Sequence, residues 1–418
     1  MDYQNSKRRY FVLLLLILNS GLCFYVMGSS LGLLVPTLAQ DMQLTTVQVG
    51  ALIGSISLGS MIFSFFTGPI LDKFRTKVVM IITMVLLGTA LIARGLSTNF
   101  NLLYVIFVLN GVLQALLNPA NNKISTYWFG RKDVYMVTSF ISVGQGIAGV
   151  LGYITFLPLV GLLGSWKTVY SMFGIIFIVL AVVWVFFVPS VSDKDSALNR
   201  DMKVDVEHHT FLMGVKQIFG SRQIWLIFLG TFFFFGTINL WMSLAPSVLS
   251  EIGGIELQTA SSVCAVLSVG STLGYWLCPI ISQKVGLRKP FIALAFLLSC
   301  GCEALALVLP FNFMTTGLLI FIGGFMHGWA VTGPQGMLLE SKEVGGINAG
   351  LAASFWFVFG KLSAVLLPMI NSAFLTAGMF DNATSLAVTT SIGIIGIVPI
   401  LLARETGPRA AQKVAAEK

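Results

Sequence analysis

Charge is what this chain of 418 residues has least of. Asp, Glu, Lys and Arg together make up 10% of it, against roughly a quarter in soluble globular proteins, while hydrophobic residues reach 56%. That balance excludes an ordinary water-soluble domain and predicts a polytopic membrane protein. Acids are scarcer still than bases, 17 against 25, for a net charge of +8. The bases are scattered over short stretches between apolar runs rather than gathered on one face, so no nucleic-acid partner is expected. Cysteine is limited to five positions, Cys23, Cys264, Cys278, Cys300 and Cys302. All lie within apolar runs, which predicts free thiols rather than disulfides. Histidine is limited to three. His208 and His209 adjoin in a polar stretch with no cysteine or further histidine nearby, and no metal site is expected. The apolar runs contain no paired carboxylates and no nucleophile–base set, so an enzyme and a cofactor are not expected either. Gly144, Gly146 and Gly149 satisfy the spacing of a dinucleotide fingerprint, but without a surrounding βαβ unit they read as small residues for helix packing.

What the chain does have is a succession of apolar runs long enough to cross about 30 Å of hydrocarbon. They fall near 10–38, 46–71, 78–96, 101–126, 134–160 and 167–189, and after a polar stretch near 223–250, 258–283, 289–309, 312–338, 346–371 and 383–403. The fold class is all-α, with twelve transmembrane helices in two pseudo-symmetric six-helix bundles. The expected organisation is an N-terminal bundle over 1–189, a cytoplasmic linker over 190–221 and a C-terminal bundle over 222–418. The first run follows Lys7, Arg8 and Arg9 but is too long for a signal-peptide core, and reads as the first span. With the N-terminus inside, the inside segments hold 21 of the 25 bases, whereas the outside loops carry Asp41, Glu251, Glu256 and Asp381. Positive-inside bias therefore predicts a multi-pass protein of the bacterial cytoplasmic membrane with both termini cytoplasmic. In the linker, Phe211, Leu212, Val215 and Ile218 recur at helical spacing, which predicts a short amphipathic helix lying on the lipid.

The densest charge of the first half sits between the second and third spans. Gly68, Asp72, Arg75 and Lys77 there resemble the loop signature of the major facilitator superfamily, with Phe74 and Thr76 departing from it. In that family the loop is a charged latch at helix ends. Arg131 is grouped with these motif residues, and Lys123, nearer the cytoplasmic end of the fourth span, reads either as a gate residue or as a snorkelling structural base. A degenerate counterpart, Gln283 to Lys289, lies in the second half, and Pro119 of the fourth span is answered by Pro334 of the tenth, as in a duplicated transporter. Leu109 to Gln114, Pro119 to Lys123 and Trp128 to Asp133 resemble the organic-anion and organophosphate branches. The first and seventh spans lack the interior arginines of the organophosphate exchangers.

Ionisable groups inside hydrocarbon are functional candidates by default. Lys361 lies deep in the eleventh span and His327 at the middle of the tenth, flanked by glycines. Among the acids only Glu303 is deep, in the ninth span, so Lys361 is read either as a base for an anionic substrate or as the partner of Glu303. Arg94 and Lys167 are near span ends and read as interfacial. Neutral polar residues complete the candidate binding set: Asn19, Tyr25, Asn110, Gln145, Asn239, Trp241 and Gln335. The resemblance implies a monomeric secondary transporter working by alternating access. The residues point to a small organic anion, a carboxylate, carried by antiport or proton symport. A neutral or cationic solute, and a sensor that binds without transporting, stay open.

Overall fold

The computed structural model describes residues 8–129, 134–191, 211–341, 343–344, 349–407 and 409. The spans are α1 (Arg8–Asp41), α2 (Thr46–Lys73), α3 (Thr76–Gly95), α4 (Phe100–Trp128), α5 (Val134–Leu163), α6 (Trp166–Phe187), α7 (Arg222–Gly253), α8 (Leu257–Val285), α9 (Lys289–Val308), α10 (Phe313–Glu340), α11 (Ala349–Thr376) and α12 (Asn382–Leu402). All twelve are long and apolar enough to cross a bilayer. No strand occurs among the described residues. Hydrocarbon leaves the backbone no outside partner, so each segment satisfies its own N–H and C=O groups by being helical. The turns are short and capped by side chains. Asn99, Ser165, Ser221, Asn312 and Asp381 each accept a backbone N–H at a helix start. At Asp381 the hydrogen bonds from Thr384 hold the carboxyl below its ordinary value. A lowered folded-state value means the cap contributes at neutral pH and is lost only in acid, as pH falls through it.

The chain divides into two compact units, Met1–Leu44 with Ser55–Glu207, and Thr45–Gly54 with His208–Lys418. Their internal pairings repeat with an offset of six helices. In the first unit α1 packs on α5, and α3 on α4 and α6; in the second α7 packs on α11, and α9 on α10 and α12. Close crossings in both units are made possible by glycine. In the first, a Cβ on Gly111 of α4 would overlap the Ile56 carbonyl of α2, and Ser60 Oγ donates to the Gly111 carbonyl at 2.9 Å. In the second, a Cβ on Gly328 of α10 would overlap the backbone of Gly274 in α8. With no hydrophobic drive between helices in lipid, such close backbone contact is what holds them together. Gly144 plays the expected packing part, facing Ile17 of α1.

Two departures from regular helix stand out. α1 contains a π-turn at Tyr25–Ser29, and α12 a 3₁₀ turn at Ile392–Gly396, where Gly396 lies against Gly230 of α7. The short linker helix, Phe211–Phe219, is present, and the described part of its apolar face packs on the second unit. Ile218 is fully buried in the core of the second unit, with Val215 and Phe219 packed against that core and Phe219 edge-on to Phe355 at 4.7 Å. An apolar stripe has the same drive to bury against protein as against acyl chains, and here the bundle supplies the nearer surface. The side chains of Phe211 and Leu212, like residues His208 and His209, lie outside the described residues.

The glycine crossing gives a direct expectation. Gly328→Val should prevent α8 and α10 from closing and yield aggregated or low-melting protein by size exclusion and thermal melting. Gly301→Ala, where an added Cβ meets nothing within 4 Å, should melt like wild type. Equal melting of the two variants would show that the crossing tolerates separation.

Candidate functional site

In the first unit the polar candidates are distributed over α1, α4 and α5. Asn19 Nδ2 donates to Asn121 Oδ1 at 2.8 Å, Gln145 Nε2 donates to Ser20 Oγ at 2.6 Å, and the Tyr25 hydroxyl shares a 2.7 Å hydrogen bond with Thr155. Asn110 is fully buried, and neither its Nδ2 nor its Oδ1 has a hydrogen-bond partner among the described residues. Asn19 Oδ1 and Asn121 Nδ2 also have no hydrogen-bond partner among the described residues.

The loop motif is arranged as a set of helix-end contacts. Lys123 Nζ donates to the Leu71 carbonyl at 2.8 Å, and Lys77 Nζ to the carbonyls of Val185, at 3.2 Å, and Val188 at the end of α6. Lysines at such positions satisfy the last carbonyls of a helix, which have no partner within it. Arg75 is exposed as the residue before α3, and Gly68 is exposed in α2. The Asp72 side chain and Arg131 lie outside the described residues. In the second unit the counterpart loop is organised by Arg288, which pairs with Glu340 at 2.7 Å and donates to Ser282 Oγ at 2.7 Å. Glu405 accepts the backbone N–H groups of Arg288 and Lys289 at 2.9 and 3.1 Å, capping α9 with a negative charge at its N-terminus.

The principal cluster lies in the interior of the second unit. Glu303 of α9 and His327 of α10 are 1% and 2% exposed, with Oε1 and Nε2 2.7 Å apart. The two atoms are in ion-pair range, although the approach lies off the N–H direction of the ring. Ser299 Oγ donates to Glu303 Oε1 at 3.2 Å, and Ser271 of α8 lies 3.4 Å from His327 Nδ1. Trp241 of α7 is fully buried, its Nε1 donating to the Glu303 carbonyl at 3.4 Å, and Phe234 stands edge-on to the imidazole. Gly323 leaves room for the carboxylate, since a Cβ there would come within 3.0 Å of Glu303 Cγ. Of the predicted set, then, the fold brings together His327 and Trp241, and joins them to Glu303.

The deep acid is engaged by His327. Lys361 is half-buried on α11, between Gly360 and Ser363, the positions by which that helix meets Phe235 and Gly236 of α7. Asn239 donates to Phe235 of its own helix at 3.2 Å, and Gln335 is half-buried in α10. All five cysteines are buried free thiols.

Sequence reasoning missed Arg94. Far from interfacial, it is fully buried between Phe107 and Tyr170, whose ring centroids lie 3.8 and 4.5 Å from Cζ, with Nη2 3.6 Å from Met27 Sδ in the π-turn of α1. Its Nε and Nη1 have no hydrogen-bond partner among the described residues. A helix-end base ordinarily snorkels; the aromatic slot that captures this one is assembled from α4 and α6, which no local pattern announces.

The profile of the Major Facilitator Superfamily matches residues 17–368. The chain belongs to that superfamily. The relatives it matches are transporters, not enzymes. A hexuronate transporter of Bacillus subtilis (strain 168) is 22% identical over 429 residues, covering 98% of this chain and 99% of that protein. A probable galactarate/D-glucarate transporter of Escherichia coli (strain K12) is 24% identical, covering 92% and 90%. A crystal structure of a bacterial homologue of the human lysosomal transporter Spinster, inward-facing and occupied, shares the fold with a TM-score of 0.76 at 15% identity, covering 96% of this chain and 97% of that one.

The Arg94 slot tests how a buried cation is tolerated. Cation–π contacts contribute about 2 kcal/mol when desolvated, while burying an ion costs several. Arg94→Met, which fills the slot without charge, should melt at or above wild type, and Arg94→Ala, which leaves a cavity, should melt below it. A Met variant that melts as low as the Ala variant would show that the charge itself is required.

Proposed function

We propose that the protein is a secondary active transporter that carries a small organic anion, a sugar-acid carboxylate, across the bacterial cytoplasmic membrane by alternating access. The observation that carries this reading is the end-to-end relation to proteins named for hexuronate and for galactarate/D-glucarate, all polyhydroxylated carboxylates. The chemistry of the chain agrees with it. A carboxylate calls for a base, which Lys361 of α11 supplies, and hydroxyl groups call for amides and phenols, which Asn239, Gln145, Gln335 and Tyr25 supply from half-buried or buried positions. His327 contributes through Glu303 rather than as an independent cation, given their 2.7 Å separation. The distribution of bases supports termini on the cytoplasmic side. The reading takes the protein as a monomer, with the bilayer and the solute as its partners.

Binding stabilises by mass action, about 2.7 kcal/mol at a ligand concentration of 100 Kd. In a thermal-shift series on purified protein, D-glucuronate and D-glucarate should raise Tm, while glucose, simple amines and nucleosides should not. The rise should be lost in Lys361→Ala. Stabilisation by glucose equal to that by glucuronate, unchanged in the variant, would overturn both the anion and the residue assigned to it.

A further inference from the structure

We propose that the cavity beside the linker helix, where α7 begins and α12 ends, binds the phosphate of an anionic phospholipid. None of the candidate solute-binding residues lines it, so the site does not depend on which solute is carried.

The cavity, of about 590 Å³, lies within the second unit and is walled by the end of the linker helix, the first turns of α7, Glu343 after α10, and Leu402 and Arg404 at the end of α12. That volume suits a small polar group rather than a single ion, since ligand sites span roughly 300–1,000 Å³. Its depth is fixed by the spans around it. The apolar run of α7 starts at Arg222 and that of α12 ends at Leu402, so the cavity sits where hydrocarbon gives way to headgroups. Trp225 agrees. Its indole is exposed and Nε1 donates to the Phe219 carbonyl at 2.8 Å, the half-wet setting in which tryptophan marks a membrane interface.

The lining has one more base than acid. Glu343 is paired with Arg404, which leaves Arg222, exposed and with no ion-pair or hydrogen-bond partner for its guanidinium among the described residues. Beside it are the opening N–H groups of α7. Ser221 Oγ accepts that of Ile224 at 3.4 Å, whereas those of Arg222 and Gln223 have no partner among the described residues. A helix start with unpaired N–H groups carries partial positive charge and is suited to phosphate. The guanidinium adds a full charge and a planar fork that matches phosphate oxygens. Gln223 holds the far wall in place: its Nε2 donates to the Arg404 carbonyl at 3.1 Å, and its Oε1 accepts the Arg404 N–H at 2.7 Å. A second guanidinium is thereby fixed at the cavity, with Glu343 as its present partner.

The rest of the lining is apolar. Leu226, one turn further into α7, and Leu402, exposed at the end of α12, offer surface that a soluble phosphate does not use and an acyl chain does. A headgroup phosphate at Arg222, with its chain over the two leucines, uses both parts of the lining. Basic pockets between span ends are suited to anionic headgroups, and Lys216, exposed on the linker helix, adds to the positive field.

The test is titration of the purified full-length protein, in non-ionic detergent, with phosphatidylglycerol, phosphatidylcholine or inorganic phosphate, reading Tm and, by native mass spectrometry, bound lipid. Phosphatidylglycerol should bind saturably and raise Tm, and phosphatidylcholine, whose net charge is zero, should bind more weakly. Arg222→Gln should raise the half-saturating concentration about fivefold, the loss for one base near a lipid surface. Glu343→Gln should lower it, because Arg404 is then released to the ligand; opposite shifts from two lining residues cannot come from general unfolding. Lys284→Gln, which removes an exposed base at the same end of the unit but outside the lining, should leave it unchanged. Equal loss of affinity in Arg222→Gln and Lys284→Gln would reveal attraction to the whole basic surface and overturn the site. Unchanged affinity in both Arg222→Gln and Glu343→Gln would overturn it as well. If inorganic phosphate raises Tm and displaces phosphatidylglycerol, with the same dependence on Arg222, the ligand is a soluble phosphate and the lipid assignment falls.

Discussion

The structure is governed by one constraint: hydrocarbon gives no partner to a polar group, so every charge and every backbone amide must find one inside the protein. Helical spans answer this for the backbone, and side-chain caps such as Asn312 and Asp381 answer it where a span begins. Because apolar faces gain nothing from meeting each other in lipid, the spans are joined by shape, with glycines such as Gly111 and Gly328 letting backbone meet backbone. The same constraint sets the cost of each of the few charges that the chain keeps inside.

The two units resolve that cost differently, in equivalent helices. The first buries a cation on α3, Arg94, between two aromatic rings and a thioether sulfur. The second buries an anion on α9, Glu303, against an imidazole. An arginine cannot lose its proton in a protein, so the first arrangement has one charge state and acts as a fixed part of the fold. The second sets two ionisable side chains against each other, 2.7 Å apart. The unit that holds this pair also carries Lys361.

Much of the fold was open to reading from residues alone. Twelve spans appear within a few residues of the positions set by apolar run length, because that length is imposed by the bilayer and needs no knowledge of neighbours. Glu303 and His327 were each singled out for the same reason, as charges where charges are expensive. Their pairing was not legible, since it depends on how α9 and α10 are rotated about their axes, and helices apolar nearly all round give little sign of facing. Arg94 was misjudged on the same ground: its position in the chain fits an interface, and only the meeting of Phe107 with Tyr170 makes an interior slot. The linker helix was legible as amphipathic, but not which apolar surface it would choose.

The neutral polar groups carry the reasoning one step beyond charge. Asn110 and the inner atoms of Asn19 and Asn121 are buried without hydrogen-bond partners among the described residues, and each such group costs about 1–3 kcal/mol. A fold under the constraint of hydrocarbon would shed them unless another conformation repays the cost. On the transporter reading proposed above, a hydroxylated solute that satisfied these amides in another conformation would lower the free energy of that state relative to this one. That differential is the only means by which a ligand can shift a conformational equilibrium.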